Sequence, residues 1–281
     1  MRLEFLLVCI PLTAQVTIHG VTTGAGYLPG ITRPGGISTV FCTGLSVASD
    51  LTAPAGLPPP MELAGIRVAV NGVLAPLLAV AGRNAHQQIN FLVPSLPDFT
   101  RAPIAVTVTQ NGRGASVKLR ESPFNGYPAD LFRDAQGYGI VRHADGSLVT
   151  ALEPAQRGET VIVYATGMGT VEPPGAMGST GPQPPSSLVL YPGEGDGVKV
   201  FFCAAPVACQ PTEAAYSTAL FAGVYPGNPG VYQLNIQIPA SAPTGELEMG
   251  VLRVYCYDAP CTIQSPFQQA FTSQRVKIRI R

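Results

Sequence analysis

The sequence predicts an all-β protein built from two tandem immunoglobulin-like β-sandwich domains. Three observations predict this fold: short strand-like runs, the near absence of helical periodicity, and a set of features that occurs twice in the same order. Gly and Pro supply 31 and 28 of the 281 residues, and this density interrupts helices. Short runs separated by turn residues at regular spacing are typical of a β-sandwich.

Eight runs carry the strand prediction, each rich in Val, Ile, Thr or Tyr and bounded by Gly, Pro or Asn. They are Ser38–Phe41, Ile66–Val70, Ile104–Thr109, Ala115–Leu119, Thr160–Ala165, Val198–Phe202, Val231–Ile238 and Glu246–Tyr257. Asn71-Gly72 and Asn111-Gly112 predict type I′ hairpin turns, because Asn and Gly accept the positive φ that both turn positions need. Asp145-Gly146 predicts a third turn.

An internal repeat divides the chain. Gln88–Pro94 reads Gln-Ile-Asn-Phe-Leu-Val-Pro, and Gln233–Pro239 reads Gln-Leu-Asn-Ile-Gln-Ile-Pro. Upstream of them, Thr43-Gly44-Leu45 corresponds to Thr166-Gly167-Met168. The same order of features in both halves implies two copies of one fold. We therefore place the first sandwich at 16–122, a connector at 123–155 and the second sandwich at 156–281.

The repeated strand carries two amides and ends in proline. Apolar and amide side chains alternate along it, so one face enters the core, and Pro94 or Pro239 ends the strand because proline cannot donate a ladder hydrogen bond. We expect the amides to hold a neighbouring loop, and lining a ligand groove is the alternative. The amides are Gln88, Asn90, Gln233 and Asn235.

Residues 1–14 are predicted to be a signal peptide, with Arg2, an apolar stretch at 5–10 and the small exit Thr13-Ala14. A lipoprotein signal at Cys9 and a plain first strand are the alternatives. No later run has the roughly 18 apolar residues that a membrane span needs. The predicted location is therefore secreted or cell-surface.

Two cysteine pairs support export. Cys203 with Cys209, and Cys256 with Cys261, each bracket a loop that contains proline, which predicts disulfides that pin those loops. Crossed pairing between the two loops, a four-cysteine zinc site and free buried thiols are the alternatives. Cys42 has no predicted disulfide partner, and we expect it to be a small buried hydrophobic residue.

Charge and composition exclude several classes of protein. Lys+Arg and Asp+Glu are 17 each, so the chain lacks the basic surplus of a nucleic-acid binder. An apolar content of 46% is too high for a disordered chain. Gly24-Ala25-Gly26 lacks the strand-to-helix setting of a phosphate cradle, and no cofactor is predicted.

At the level of whole motifs, the sequence resembles the Solibacter-type uncharacterised C-terminal domain family, a pair of immunoglobulin-like modules in secreted acidobacterial proteins. The resemblance covers about residues 28 to 281. It rests on Gly65–Pro76, the Gln88–Pro94 strand, Glu153-Pro154-Ala155, Gly158–Gly169 and Tyr225–Asn235. It implies the fold and export and supplies no catalytic residues. The two cysteine pairs set this chain apart from the pattern.

The search for catalytic or metal-binding groups predicts none. His86 and His143 are expected to be solvated loop residues, and His19 lies near the predicted mature N-terminus, where chains are often poorly ordered. No Gly-x-Ser-x-Gly elbow is present. Two acidic pairs, Asp130 with Asp134 and Glu246 with Glu248, are expected to face solvent instead of forming an acid/base pair. The alternative is an ion held in the connector by Asp130, Asp134 and Asp145.

The predicted function is a non-catalytic extracellular interaction, adhesion or spacer module, expected to be a monomer that contacts a surface protein or a polysaccharide. The alternatives are a carbohydrate-binding module and a small secreted hydrolase. Amphipathic aromatic rings favour sugar contact, and four tyrosines near predicted loops are the candidate ligand contacts. These are Tyr225, Tyr232, Tyr255 and Tyr257.

Overall fold

The computed structural model describes residues 15–82, 86–96, 103–119, 129–169, 171–172, 187–188, 198–204, 214–256, 268–272 and 274–281. Within these ranges every regular element is a strand, and every ladder between named strands is antiparallel. The described strands form four sheets that pack as two sandwiches, as the sequence predicts.

The first sandwich, called module 1, consists of two sheets. Sheet 1 contains β1 (Thr17–Thr23), β2 (Ile37–Thr43), β3 (Leu51–Thr52), β6 (Leu77–Ala81) and β7 (Gln87–Leu92), in the order β1-β2-β7-β6-β3. Sheet 2 contains β4 (Ile66–Val70), β5 (Val73–Ala75), β8 (Ala105–Gln110) and β9 (Arg113–Lys118), in the order β5-β4-β8-β9. The inward residues of both sheets, such as Val40, Phe91 and Val68, share one buried core.

The second sandwich, module 2, is also made of two sheets. Sheet 3 contains β10 (Asp130–Leu131), β11 (Val141–Arg142), β12 (Thr160–Thr166), β13 (Val171–Glu172), β14 (Ser187–Leu188), β17 (Phe221–Val224) and β18 (Tyr232–Gln237). Sheet 4 contains β15 (Lys199–Ala204), β16 (Ala215–Thr218), β19 (Gly245–Cys256), β20 (Gln268–Thr272) and β21 (Val276–Ile280). Val163, Leu234 and Met249 lie in their common core.

The described part of the predicted connector differs from expectation. Residues 129–155 supply β10 and β11, which both pair with β12, and they bury Leu131 and Val141 in the core of module 2. The reason is local: short apolar stretches between Gly and Asp turns complete an open sheet edge. The domain boundaries themselves stay a prediction.

The hairpin turns follow the sequence chemistry closely. Asn71 and Gly72 have φ of 47° and 81°, and Asn111 and Gly112 have φ of 50° and 80°, as a type I′ turn requires. At the third turn Gly146 has a φ of 89°, while Asp145 instead accepts hydrogen bonds from the backbone and hydroxyl of Ser147.

The repeat is visible in strand pairing. In sheet 1, β7 lies between β2 and β6, and in sheet 3, β18 lies between β12 and β17. Phe41 lies opposite Gln88, and Tyr164 lies opposite Gln233. Each repeated strand is therefore central in its sheet and has equivalent neighbours in both modules.

Candidate functional site

The repeated amides lie on the outer faces of the two sheets. Along β7 the side chains of Ile89 and Phe91 are fully buried, whereas Gln88 and Asn90 are half-buried on the opposite face. We call the outward side of β2, β7 and β6 amide face 1. The equivalent outward side of β12, β18 and β17 carries Gln233 and Asn235 and is amide face 2.

Each amide pair is joined by the same hydrogen bond. Nε2 of Gln88 donates to Oδ1 of Asn90 at 2.8 Å, and Nε2 of Gln233 donates to Oδ1 of Asn235 at 2.7 Å. Among the described residues, no protein group bonds to the Gln Oε1 or the Asn Nδ2 of either pair. Each pair therefore presents the acceptor oxygen Oε1 of its glutamine and the donor group Nδ2 of its asparagine to a ligand.

Aromatic rings flank both amide pairs. The ring of Phe41 lies 6.1 Å from that of Tyr27, whose side chain is 52% exposed. Tyr27 has a φ of 57°, an uncommon conformation for a bulky residue. On amide face 2, Tyr164 and Tyr225 meet edge to face at 5.2 Å. Burial and the neighbouring Tyr225 raise the pKa of Tyr164, while Arg142 opposes them.

The loop-holding role predicted for the repeated amides belongs instead to two other glutamines, Gln87 of β7 and Gln110 of β8. Oε1 of the buried Gln87 accepts the N–H of Leu45 at 2.8 Å, and its Nε2 donates to the carbonyl of the same residue at 2.7 Å. Gln110 likewise accepts the N–H of Ser46 through its Oε1 at 2.8 Å and donates from its Nε2 to the carbonyl of Ser46 at 2.9 Å. Sequence reasoning missed both glutamines because neither lies in the repeat.

The predicted tyrosine contacts divide into different classes. Tyr232 is fully buried and donates to the carbonyl of Gly169 at 2.7 Å, so its prediction as a ligand contact is wrong. The side chains of β18 that face outward are instead those of Gln233 and Asn235. Tyr225 is half-exposed against Tyr164. The side chain of Tyr255 and all of Tyr257 lie outside the described residues.

A buried threonine joins the two modules. Oγ1 of Thr166, at the end of β12, accepts the N–H of Ile37 at 2.7 Å and donates to the carbonyl of Gly230 at 2.7 Å. Ile37 begins β2, so the start of one strand meets the end of its counterpart. Amide face 1 and amide face 2 adjoin here, because the side chains of Ile37 and Thr166 both lie on the outer sides of their sheets.

A buried carboxylate forms the second link. Oδ2 of Asp130, a residue 4% exposed, accepts the N–H groups of Ala25 and Gly26 at 2.9 and 2.7 Å. Burial raises the pKa of this carboxyl, and the Thr23 hydroxyl, the two N–H groups and Arg133 act in the opposite direction. Arg133 also donates to the carbonyl of Gly26 at 3.0 Å. The predicted solvent exposure of Asp130 is thus wrong.

Glycines let the two backbones approach closely. A Cβ on Gly36 would lie 2.6 Å from Cα of Gly167, and a Cβ on Gly230 would lie 2.5 Å from the Leu92 side chain. Gly230 also has a φ of 79°, which favours glycine. Leu92 is 1% exposed although it lies on the outward parity of β7, because module 2 covers it.

The far end of module 2 holds a cavity of about 580 Å³ lined by charged and polar residues, among them His143, Asp145, Glu159 and Arg281. Nδ1 of His143 lies 2.5 Å from the Glu159 carboxylate, and Nε2 lies 3.2 Å from the carbonyl oxygen of Glu153. The bond to Glu159 raises the pKa of His143. Since both ring nitrogens face hydrogen-bond acceptors, neither is placed to accept a proton from a nucleophile.

The remaining candidate acids have structural partners. Glu246 lies 3.4 Å from both Lys277 and Arg279 across the β19–β21 ladder, and Glu248 pairs with Arg275 at 2.8 Å. Asp134 accepts two backbone N–H groups of its own turn. Asp130 lies at the junction and Asp145 at the far cavity, so these acids do not converge on an ion. Among the described residues no group of three potential ligands could hold a metal.

The cysteines are partly described. Cys42 is buried and free, and burial raises its pKa to about 11. Cys203, which is not free, lies opposite Glu248 on β19, so Cys256 is eight residues further along that strand, about 26 Å away. This distance excludes both a Cys203–Cys256 bridge and one zinc ion holding the two. Cys209 and Cys261 lie outside the described residues, as does the segment 1–14.

Comparison with known proteins finds similarity only to solved structures, at low TM-scores. No family model matches the chain, and no curated protein matches it. Among solved structures, titin tandem immunoglobulin domains cover 95% of this chain and 97% of their own length at 7% identity and a TM-score of 0.19. A second titin structure gives 10% identity, coverage of 95% and 98%, and a TM-score of 0.21.

An endo-fucoidan hydrolase of glycoside hydrolase family 107 is similar at 8% identity and a TM-score of 0.17 over 29% of its length. TM-scores of this size support no closer comparison. The sandwich fold of this chain follows from its own sheets and cores. No helix in the described ranges is both long and apolar enough to cross a membrane.

Proposed function

We propose that this chain is a non-catalytic, two-module interaction unit that works outside the cytosol as a stiff spacer and presents its outer sheet faces to a partner. The single observation that carries the proposal is the junction. Thr166 and Asp130 each bond backbone groups of module 1, and bare glycine backbones pack between them. Buried hydrogen bonds of this kind are costly to break.

The chemistry of the described residues supports a non-catalytic role. The candidate acids are engaged in ion pairs or backbone contacts, and both nitrogens of His143 face acceptors. Export is supported by the predicted signal peptide and by the predicted Cys203–Cys209 and Cys256–Cys261 bridges, which would persist in an oxidising compartment. The resemblance to the Solibacter-type family agrees with this location. We propose a monomer.

The experiment that tests the stiff junction is ¹⁵N relaxation of the purified full chain. We expect both modules to tumble with one rotational correlation time. Thr166→Val removes the acceptor and donor at the junction while keeping the side-chain volume, and combined with Asp130→Ala it should give two shorter, separate correlation times.

Thr160→Val is the matched control, since Thr160 lies on the same face at the opposite end of β12. Separate correlation times in the unaltered chain would overturn the spacer proposal. Turnover of ester or polysaccharide substrates that disappears in His143→Gln would overturn the non-catalytic part.

A further inference from the structure

We infer that amide faces 1 and 2 together form a duplicated binding site for a neutral, linear polysaccharide. This inference rests on the proposed interaction function and names its ligand class and its residues. The starting observation is the identical bond from Gln Nε2 to Asn Oδ1 in both modules. It fixes each pair of amides in one orientation and leaves Gln Oε1 and Asn Nδ2 as an adjacent acceptor and donor.

Adjacent hydroxyl groups of a sugar are the natural complement of such a pair. One hydroxyl donates to Oε1, and its neighbour accepts from Nδ2, so each amide pair binds one diol through two hydrogen bonds. The amides are half-buried, which leaves them accessible while their orientation is held. An ionic ligand would need a charged partner, yet the three central strands of each face contain no Asp, Glu, Lys or Arg. Arg142 of β11 lies beside Tyr164 at the border of amide face 2 and donates to the carbonyl of Gly146.

The flanking rings supply the apolar half of sugar recognition. Phe41 lies directly opposite Gln88, and Tyr164 directly opposite Gln233. Aromatic rings bind the C–H surface of a sugar while neighbouring polar groups bind its hydroxyls. The exposed Tyr27, held in a positive-φ turn beside Phe41, and Tyr225 beside Tyr164 extend these surfaces. Strained residues held by the surrounding structure point to function.

The position of the amides argues against an extended peptide as the ligand. Peptides commonly bind β-proteins by adding a strand to an exposed sheet edge. Here β7 and β18 are central strands whose backbone groups are paired on both sides. Recognition must therefore use side chains that project from a sheet face, and this arrangement suits a polyhydroxylated chain.

The junction makes the two faces one surface. Leu92, two residues beyond Asn90 on the same parity, contacts Gly230, which precedes Gln233 by three residues. The two amide pairs are therefore separated by a distance on the order of 20 Å at strand spacing. A polymer long enough to reach both pairs gains avidity of about 10²-fold over one pair alone.

Affinity electrophoresis of the full chain tests the inference, with gels that contain hydroxyethyl cellulose, xylan, galactomannan or dextran, and alginate as the anionic comparison. We expect retardation by at least one neutral polysaccharide. The double variants Gln88→Ala/Asn90→Ala and Gln233→Ala/Asn235→Ala should each weaken binding by about 10- to 100-fold, and the quadruple variant should migrate as in a plain gel. Thermal melting verifies that each variant folds.

Gln136→Ala is the matched control, because Gln136 is an exposed glutamine of the turn that follows Asp134 and belongs to neither amide face, and it should bind normally. The inference is overturned by absence of retardation on every neutral gel, by retardation by alginate alone, or by full binding in the quadruple variant. Capture of displayed peptides through the same amides without any glycan binding also overturns it. None of these outcomes changes the correlation time of the junction, so the spacer proposal is judged separately.

Discussion

Gln233 donates its side-chain N–H to Asn235 at 2.7 Å along one strand face, and Gln88 and Asn90 repeat this bond at 2.8 Å in the other module. The side chain next to the first pair behaves differently. Gln87 points to the opposite side and holds the backbone of Leu45 with two hydrogen bonds. Neighbouring glutamines of β7 thus have distinct roles.

Replacement of Gln87 tests the structural role. We expect Gln87→Ala to lower the free energy of unfolding by about 1–3 kcal/mol, because it leaves the buried N–H and carbonyl of Leu45 without partners. Gln88→Ala, one residue away on the outward side, should change it by less than about 0.5 kcal/mol. Urea unfolding of both variants provides the comparison, and equal effects would contradict the assignment.

Replacement of Gly230 tests the close packing at the junction. Gly230→Ala places a Cβ 2.5 Å from Leu92 and 2.7 Å from Ile37, in addition to the strain of positive φ. We expect it to lower the midpoint of thermal unfolding clearly more than Gly146→Ala, which has a φ of 89° but open space around its Cβ. The positive φ alone should cost about 1 kcal/mol. Matching calorimetric midpoints would show that the junction tolerates the methyl group.

The pH dependence of stability tests the His143–Glu159 pair. Because the pKa of His143 is raised in the folded state, its contribution to stability is fully present below the ordinary value of 6.5 and is lost as pH rises through the folded pKa. His143→Gln should flatten this decline in urea titrations between pH 5 and pH 9. His86→Gln, altered in an exposed loop, should leave the decline unchanged.

Thiol chemistry tests the cysteine assignments. Cys42 should resist alkylation in the native chain, because it is buried and its pKa is about 11, and should react once the chain is unfolded. In unreduced protein, peptide mapping by mass spectrometry should find Cys203 linked to Cys209 and Cys256 linked to Cys261. Two or more free thiols in exported protein would contradict the two bridges, and a Cys203–Cys256 link would contradict the β15–β19 register.

The positions of the strands can be predicted from the sequence, because they depend on turn residues and on apolar alternation within short segments. The strand Ile66–Val70 has the bounds that the sequence predicts, because Gly65, with a φ of 75°, precedes it and the positive-φ turn Asn71-Gly72 follows it. The sandwich fold and the repeat follow likewise from alternation along β7 and β18. These are properties of residues close together in the chain.

The junction did not follow from the sequence, because it depends on contacts between distant residues. Asp130 bonds residues more than 100 positions away, and nothing in its neighbourhood indicates that it would be buried. Thr166 carried a usable signal, since it belongs to the repeated Thr-Gly turn. Its counterpart Thr43 lies at the free end of module 1, however, so the repeat indicates equivalence of fold without indicating which end is buried.

The contact between Ile37 and Thr166 gives the two-module chain a direction. β2 starts at the contact and β12 ends there, so the equivalent strands of both modules run in the same direction, head to tail, and the modules are not related by a two-fold axis. A polymer with distinguishable ends would therefore be held in one orientation by both modules, and reversing it would mismatch both at once.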